Sequence, residues 1–251
     1  MSVPTRIKIG EWLYRYAYAV YKPMYFQYKK QREKTEIALI KKIIIPGDII
    51  VDIGANIGFY TQLFSALTGK DGRVFAFEPD RSNFEKLKKN TKHLSNIVLE
   101  NKAVSAHSGK ITLYHSALNV DHRTYPSDGL SKSYDVECVA LDDYFSRYQT
   151  IHLIKIDIQG YEPIALKGML HIIQQNKHIK LLSEFWPYGL EKVGYSAWDY
   201  WNILKNEFPH IYLIEEKNTL KNINESFLKS LKKDETIYYN LYCCKQNPLF
   251  P

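Results

Sequence analysis

The residues best placed to do chemistry begin at Asp52-x-Gly54-x-x-x-Gly58. Asp52 follows the β-branched run Ile49-Ile50-Val51, which reads as a strand buried on both faces. After the turn, Phe59, Leu63, Phe64 and Leu67 recur at helical spacing. A glycine turn between a strand and a helix offers backbone N–H groups to a cofactor above the strand ends. A dinucleotide site wants G-x-G-x-x-G, but Asn56 stands where a pyrophosphate turn prefers glycine. The Asp52 carboxylate repels a pyrophosphate and suits the ammonium of an amino acid. S-adenosylmethionine (SAM) carries such a group. Glu78 lies 26 positions after Asp52, at the end of the apolar stretch 73–77, where a carboxylate accepts hydrogen bonds from a ribose diol. That placement fits NAD equally, and the missing third glycine favours SAM. Two glycines in a βα turn also arise from geometry alone.

Acceptor-side candidates lie further on. Asp157 ends an apolar stretch beginning at Ile151, beside the expected methyl donor. It could act as general base, metal ligand or orienter, or simply satisfy N–H groups of the next turn. Methylation of a hydroxyl requires loss of its proton as the oxygen attacks in line, so a neighbouring base helps. His122 lies in the polar loop 119–129 and is matched to proton removal near neutral pH, unless that loop is only a solvated hairpin end. Glu184 precedes Trp186-Pro187-Tyr188, an acid beside an aromatic wall of the kind that holds sugars, or else a core corner. Asn101–Ala103 follow the third strand, where adenine is expected. The Asp/Asn-Pro-Pro-Tyr motif of many amino-group methyltransferases is replaced by Asp157-Ile158-Gln159-Gly160, which disfavours N-methylation of bases.

Taken together, Asp52–Tyr60, Phe77-Glu78-Pro79, Asn101–Val104, Lys155–Glu162 and Leu166-Lys167-Gly168 resemble the FkbM family of SAM-dependent methyltransferases, in the family's order over roughly residues 45–190. The resemblance implies a class I methyltransferase fold and methyl transfer to a hydroxyl of a sugar or other small natural product. The expected cofactor residues are Asp52, Gly54, Asn56, Gly58, Phe59, Glu78, Pro79, Asn101, Ala103 and Asp157. Asp157, His122 and Glu184 are the catalytic candidates. One departure concerns any site needing two carboxylates: the family usually has Glu where this chain has Gln159. No metal ligands are assigned.

Positioning these residues requires an α/β fold: a mostly parallel seven-stranded sheet with an antiparallel last strand and helices on both faces. Residues 46–251 would form this domain, and residues 1–45 a helical extension that Pro23 breaks or kinks, giving two helical pieces. Residues 111–140 interrupt the alternation with two short strands, and 217–235 is an Asn- and Lys-rich connection. The net charge of +7 resides in residues 1–42, which hold ten Lys/Arg and three Asp/Glu; the remainder holds 24 of each. This segment interleaves Trp and Tyr with cations. It is read as a lid on the acceptor pocket or an oligomer contact, as a surface for anionic membrane or glycan, or as a nucleic-acid contact, the last being least favoured. Three cysteines make no disulfide framework, and no stretch has the length and apolarity of a membrane span, so the expected setting is cytoplasmic or peripheral to a membrane. Two rival readings share the fold: an NAD(P)-dependent oxidoreductase, and a non-catalytic binding protein working through its basic arm.

Overall fold

The apolar runs become the strands of one sheet and the 3.6-residue patterns become the helices that cover it. A computed structural model describes residues 5–115, 132–145, 150–215, 219–232 and 234–247. The chain opens with three helices, α1 (Thr5–Tyr16), α2 (Tyr18–Arg32) and α3 (Lys34–Ile43). Then follow β1 (Ile49–Ile53), α4 (Phe59–Thr68), β2 (Arg73–Phe77), α5 (Arg81–Thr91) and β3 (Ile97–Glu100). Three strands, β4 (Ala103–Val104), β5 (Gly109–His115) and β6 (Lys132–Val139), lead to the short helix α6 (Leu141–Tyr144). The alternation resumes with β7 (Leu153–Ile156), α7 (Glu162–Lys167), α8 (Leu170–Gln175), β8 (Lys180–Phe185), α9 (Pro187–Lys192) and α10 (Ala197–Glu207). The described chain closes with β9 (His210–Glu215), β10 (Thr219–Asn222), α11 (Glu225–Ser230) and β11 (Tyr239–Cys244).

The main sheet runs β10-β9-β11-β8-β7-β1-β2-β3. Strands β3, β2, β1, β7 and β8 pair in parallel, and β11 inserts antiparallel between β8 and β9. The expected seven strands are therefore present with an eighth, β10, added at the edge. It comes from the Asn- and Lys-rich stretch, as does α11. Apolar residues dispersed among the polar ones explain both: Leu220 packs on one core, and Phe227, Leu228 and Leu231 on the other. The interruption after β3 forms a separate three-stranded sheet, β4-β6-β5.

Strand alternation divides the core into two layers. Val51 and Ile53 of β1 join Ile154 and Ile156 of β7 beneath α7, α8 and α10. Ile50 and Leu153 face the opposite layer, against Leu39, Ile40 and Ile43 of α3 and Phe64 of α4. Asp80 caps α5, its carboxylate accepting from the Asn83 N–H at 2.8 Å. Pro23 does not break the N-terminal segment: it lies inside α2, and the helix breaks fall at Ala17 and Glu33. An interior proline costs a helix about 3 kcal/mol, but tertiary packing offsets it here. Tyr14 and Tyr21 are buried against Ile57, and Tyr25 and Phe26 pack on the same cluster.

Candidate active site

The apolar face shared by α3 and α4 turns polar at the carboxyl ends of the strands. Asp52 of β1 is in register with Lys155 of β7, and Glu184 of β8 with Asn240 of β11. Lys155 and Asp157, two residues apart on an extended segment, share this face. Above it lies a cavity of about 520 Å³ that reaches from Glu78 and Ala103 at one end to Asp157, Gln159 and Glu184 at the other. The turn residues Gly54, Asn56 and Phe59 form its floor, and Tyr25, Lys29 and Glu36 enter from α2 and α3.

Glu78 organises the first end. Its carboxylate accepts the Asn56 N–H at 2.7 Å and the Asp80 N–H at 2.9 Å, so it clamps the glycine turn as well as facing the cavity. Burial pushes its pKa up to about 8, more than those two N–H donors pull it down. Asn56 sits in the left-handed region, at φ 50°, with its own N–H on that carboxylate and the Ile57 N–H on its side-chain oxygen.

At the second end, Lys155 donates to Asp157 Oδ2 at 3.3 Å, and its Nζ lies 4.4 Å from the centre of the Tyr60 ring. The Gln159 amide donates to Asp157 Oδ1 and to Glu184 Oε2, at 3.3 Å each. A neutral amide thus bridges two carboxylates where a glutamate would repel both. Burial disfavours ionisation of Asp157, but Lys155 and Lys29 outweigh it, and its carboxyl is held below the ordinary range. Glu184 moves the other way: burial, and then the charge of Asp157, raise it well above the usual carboxylate value. Burial also pushes Glu36 up to about 7, and its Oε2 accepts from the Asn240 amide at 2.9 Å.

The two ends are joined mechanically. A Cβ at Gly54 would lie 2.0 Å from the Asp157 carbonyl oxygen, so only glycine lets the two loops approach this closely. Gly160, at φ 96°, is pressed in the same way against the Gly189 backbone, 2.4 Å from where its Cβ would be.

Seven of the expected cofactor residues line this cavity: Gly54, Asn56, Phe59, Glu78, Pro79, Ala103 and Asp157. Asp52, Gly58 and Asn101 do not. Asp52 is fully buried under α4, where Thr61 donates to Oδ2 at 2.6 Å; Oδ1 finds no hydrogen-bond partner among the described residues. Gly58 is the N-cap of α4 and abuts Leu87. Asn101 turns its amide back onto the carbonyls of Glu78 and Pro79, at 2.8 and 3.0 Å. Of the catalytic candidates, Asp157 and Glu184 meet in the cavity, with Trp186 beside them, whereas His122 lies outside the described residues. Sequence reasoning missed Lys155, whose signal was a lone cation in the apolar run Leu153-Ile154-Lys155-Ile156. It also missed Lys29, Glu36 and Asn240, which carry no local signal and reach the cavity only through tertiary packing.

The profile of the methyltransferase FkbM domain matches residues 52–218. The hexuronic acid methyltransferase AglP of Haloferax volcanii is 26% identical over 147 residues, covering 57% of this chain and 58% of that protein. The 2-O-methyltransferase NoeI of Sinorhizobium fredii is 27% identical over 161 residues, covering 57% of this chain and 65% of that protein. The chain therefore spans about three fifths of the length of the relatives it matches. A solved structure of a proposed rRNA-methylase from Clostridium thermocellum shares the fold, with a TM-score of 0.52 at 12% identity, covering 85% of this chain and 95% of that one. By its domain match over two thirds of its length, the chain belongs to the FkbM methyltransferase family.

Proposed function

We propose that this protein transfers a methyl group from SAM to a hydroxyl oxygen of a sugar or another small polar acceptor. The observation that carries this reading is one cavity with Glu78 at one end and the Asp157–Gln159–Glu184 group at the other, joined by the glycine turn. The donor set fits SAM: a buried carboxylate for the ribose hydroxyls, the apolar Ala103, Val104 and Leu113 beside it for the base, and further carboxylates for an ammonium. Bound SAM supplies an electrophilic methyl group on a sulfonium.

The chain's own residues then have distinct tasks. Glu78 accepts from the ribose and fixes the turn through Asn56. Asp52 ties the end of β1 to α4 through Thr61 and so supports the turn between them. Asp157 and Glu184 have environments that push their protonation states apart, a pattern that assigns acid and base roles. Asp157 stays ionised, accepts a hydrogen bond from the acceptor hydroxyl and takes its proton as the oxygen attacks. Glu184 stays protonated and donates to a second oxygen of the acceptor. Gln159 holds the two at a fixed separation, so the acceptor is oriented before reaction. The names of the two relatives support this reading, a hexuronic acid methyltransferase for a sugar as acceptor and a 2-O-methyltransferase for transfer to oxygen.

Calorimetry with S-adenosylhomocysteine and with NADH tests the cofactor assignment. Mass spectrometry after incubation with SAM and a panel of hexuronic acids and neutral sugars tests the acceptor. Binding of the sulfur nucleoside and the gain of one methyl group on a sugar are expected. Binding of NADH without S-adenosylhomocysteine would overturn the reading.

A further inference from the structure

Helices α1 and α2 carry apolar side chains on two opposite faces. The inner face is anchored: the Tyr14 hydroxyl donates to Asn83, and the Asn90 amide donates to the Tyr18 hydroxyl at 2.7 Å. This anchoring fixes what the outer face presents. There Ile9, Trp12, Tyr16, Val20 and Met24 follow at steps of three or four residues, each between 52% and 74% exposed. A surface helix ordinarily shows polar residues at such positions, and an apolar stripe of this kind marks an interaction surface.

The charge around the stripe has one sign. Within residues 9–42 the exposed charged residues are Arg15, Lys30, Lys34, Lys41 and Lys42, together with Arg32, which turns to the cavity. The acids are withdrawn: Glu33 and Glu36 are buried, and Glu11 lies 3.9 Å from Arg15. Residues 1–42 hold the whole net charge of +7. Trp and Tyr at the boundary, aliphatic side chains between them and cations at the margin form the composition of a helix lying in a lipid interface. Pairing the face with a second copy of itself would bring like charges together, which opposes self-association.

We propose that this face of α1 and α2 docks on an anionic phospholipid surface, with Trp12, Tyr16, Val20 and Met24 in the interface and the flanking cations against the headgroups. The opposite side of α2 lines the cavity through Tyr25 and Lys29. Docking therefore holds the acceptor chamber about one helix diameter, roughly 10–12 Å, from the membrane. The inference rests on the surface alone and is independent of the methyl-transfer reading.

The test is sedimentation of the full chain with vesicles of phosphatidylcholine alone or mixed with phosphatidylglycerol. Binding about tenfold tighter to the anionic vesicles is expected, weakening as salt rises. The double variant Val20→Glu/Met24→Glu should lose about tenfold in that binding, because it places charge in the interface. A second double variant, Lys30→Gln/Lys34→Gln, should lose the preference for anionic over neutral vesicles. All four positions are exposed, so circular dichroism and melting temperature should not move, which separates lost docking from lost folding. Equal binding to both vesicle types, absence of binding, or a dimer that Val20→Glu/Met24→Glu dissociates would each overturn the proposal.

Discussion

Replacing Glu78 with glutamine keeps the shape of the side chain and removes its titration. The wild-type carboxyl has a pKa of about 8 because it is buried. At pH 6 about 1% of it is ionised, and at pH 8 about half, by the ordinary titration relation. If the ribose-binding form is the carboxylate, affinity for S-adenosylhomocysteine scales with that fraction and should be roughly fiftyfold tighter at pH 8 than at pH 6. The Gln variant has no such slope, and at pH 8 it should bind more weakly by about 1–3 kcal/mol, the worth of charged hydrogen bonds. The same shift acts on stability with a definite sign. The folded pKa lies above the unfolded value, so the contribution of Glu78 is fully present below about pH 4.5 and is lost as pH rises through about 8. Calorimetry at several pH values and melting curves of the free protein read the two effects separately. A wild-type dissociation constant that is flat between pH 6 and 8, or a Gln variant that keeps the slope, would refute the assignment of Glu78 to the ribose.

Three further outcomes follow from the geometry. Asp157→Asn should reduce turnover by about 10²–10⁴-fold, the range for a lost general base, with a much smaller change in S-adenosylhomocysteine affinity; intact turnover would remove Asp157 as the base. Lys155→Met should let burial raise the Asp157 carboxyl, moving the acid limb of the kcat/KM profile to higher pH. It should also cost about 3–5 kcal/mol of stability for the unpaired buried charge, and an unmoved limb would show that another group sets it. Gly54→Ala places a methyl group 2.0 Å from the Asp157 carbonyl oxygen at a φ of 79°. Such strain and clash should exceed about 3 kcal/mol, and calorimetric melting unchanged from wild type would show that the loops do not touch.

Local chemistry explains what the sequence made legible. Strands buried on both faces write themselves as short, mostly apolar runs, so β1, β2, β7 and β8 could be found without tertiary information. The Glu78 end of the cavity was legible for the same reason, since its turn follows directly from a strand. The opposite end was legible only where it touches a strand end, at Asp157 and Glu184. Lys29, Glu36 and Asn240 come from segments distant in the chain and meet through packing, which periodicity does not encode. Asp52 differs from its neighbour Lys155 on the same face: it is fully buried under α4, bonded to Thr61, and does not line the cavity. At Pro23 a strong local rule lost to the aromatic contacts of Tyr14, Tyr21 and Phe26, and at β10 a polar composition concealed the few apolar residues that suffice to hold an edge.

The cavity wall is drawn from three stretches of the chain. Both of its ends, Glu78 at one and Asp157, Gln159, Glu184 and Trp186 at the other, fall inside the matched segment 52–218, whereas Tyr25, Lys29, Arg32 and Glu36 precede it, and Thr236, Tyr238 and Asn240 follow it. Exchanging either flank therefore alters part of the wall while leaving both ends in place. Chimaeras that swap only the flanks would separate what they contribute to acceptor choice from what the matched segment contributes.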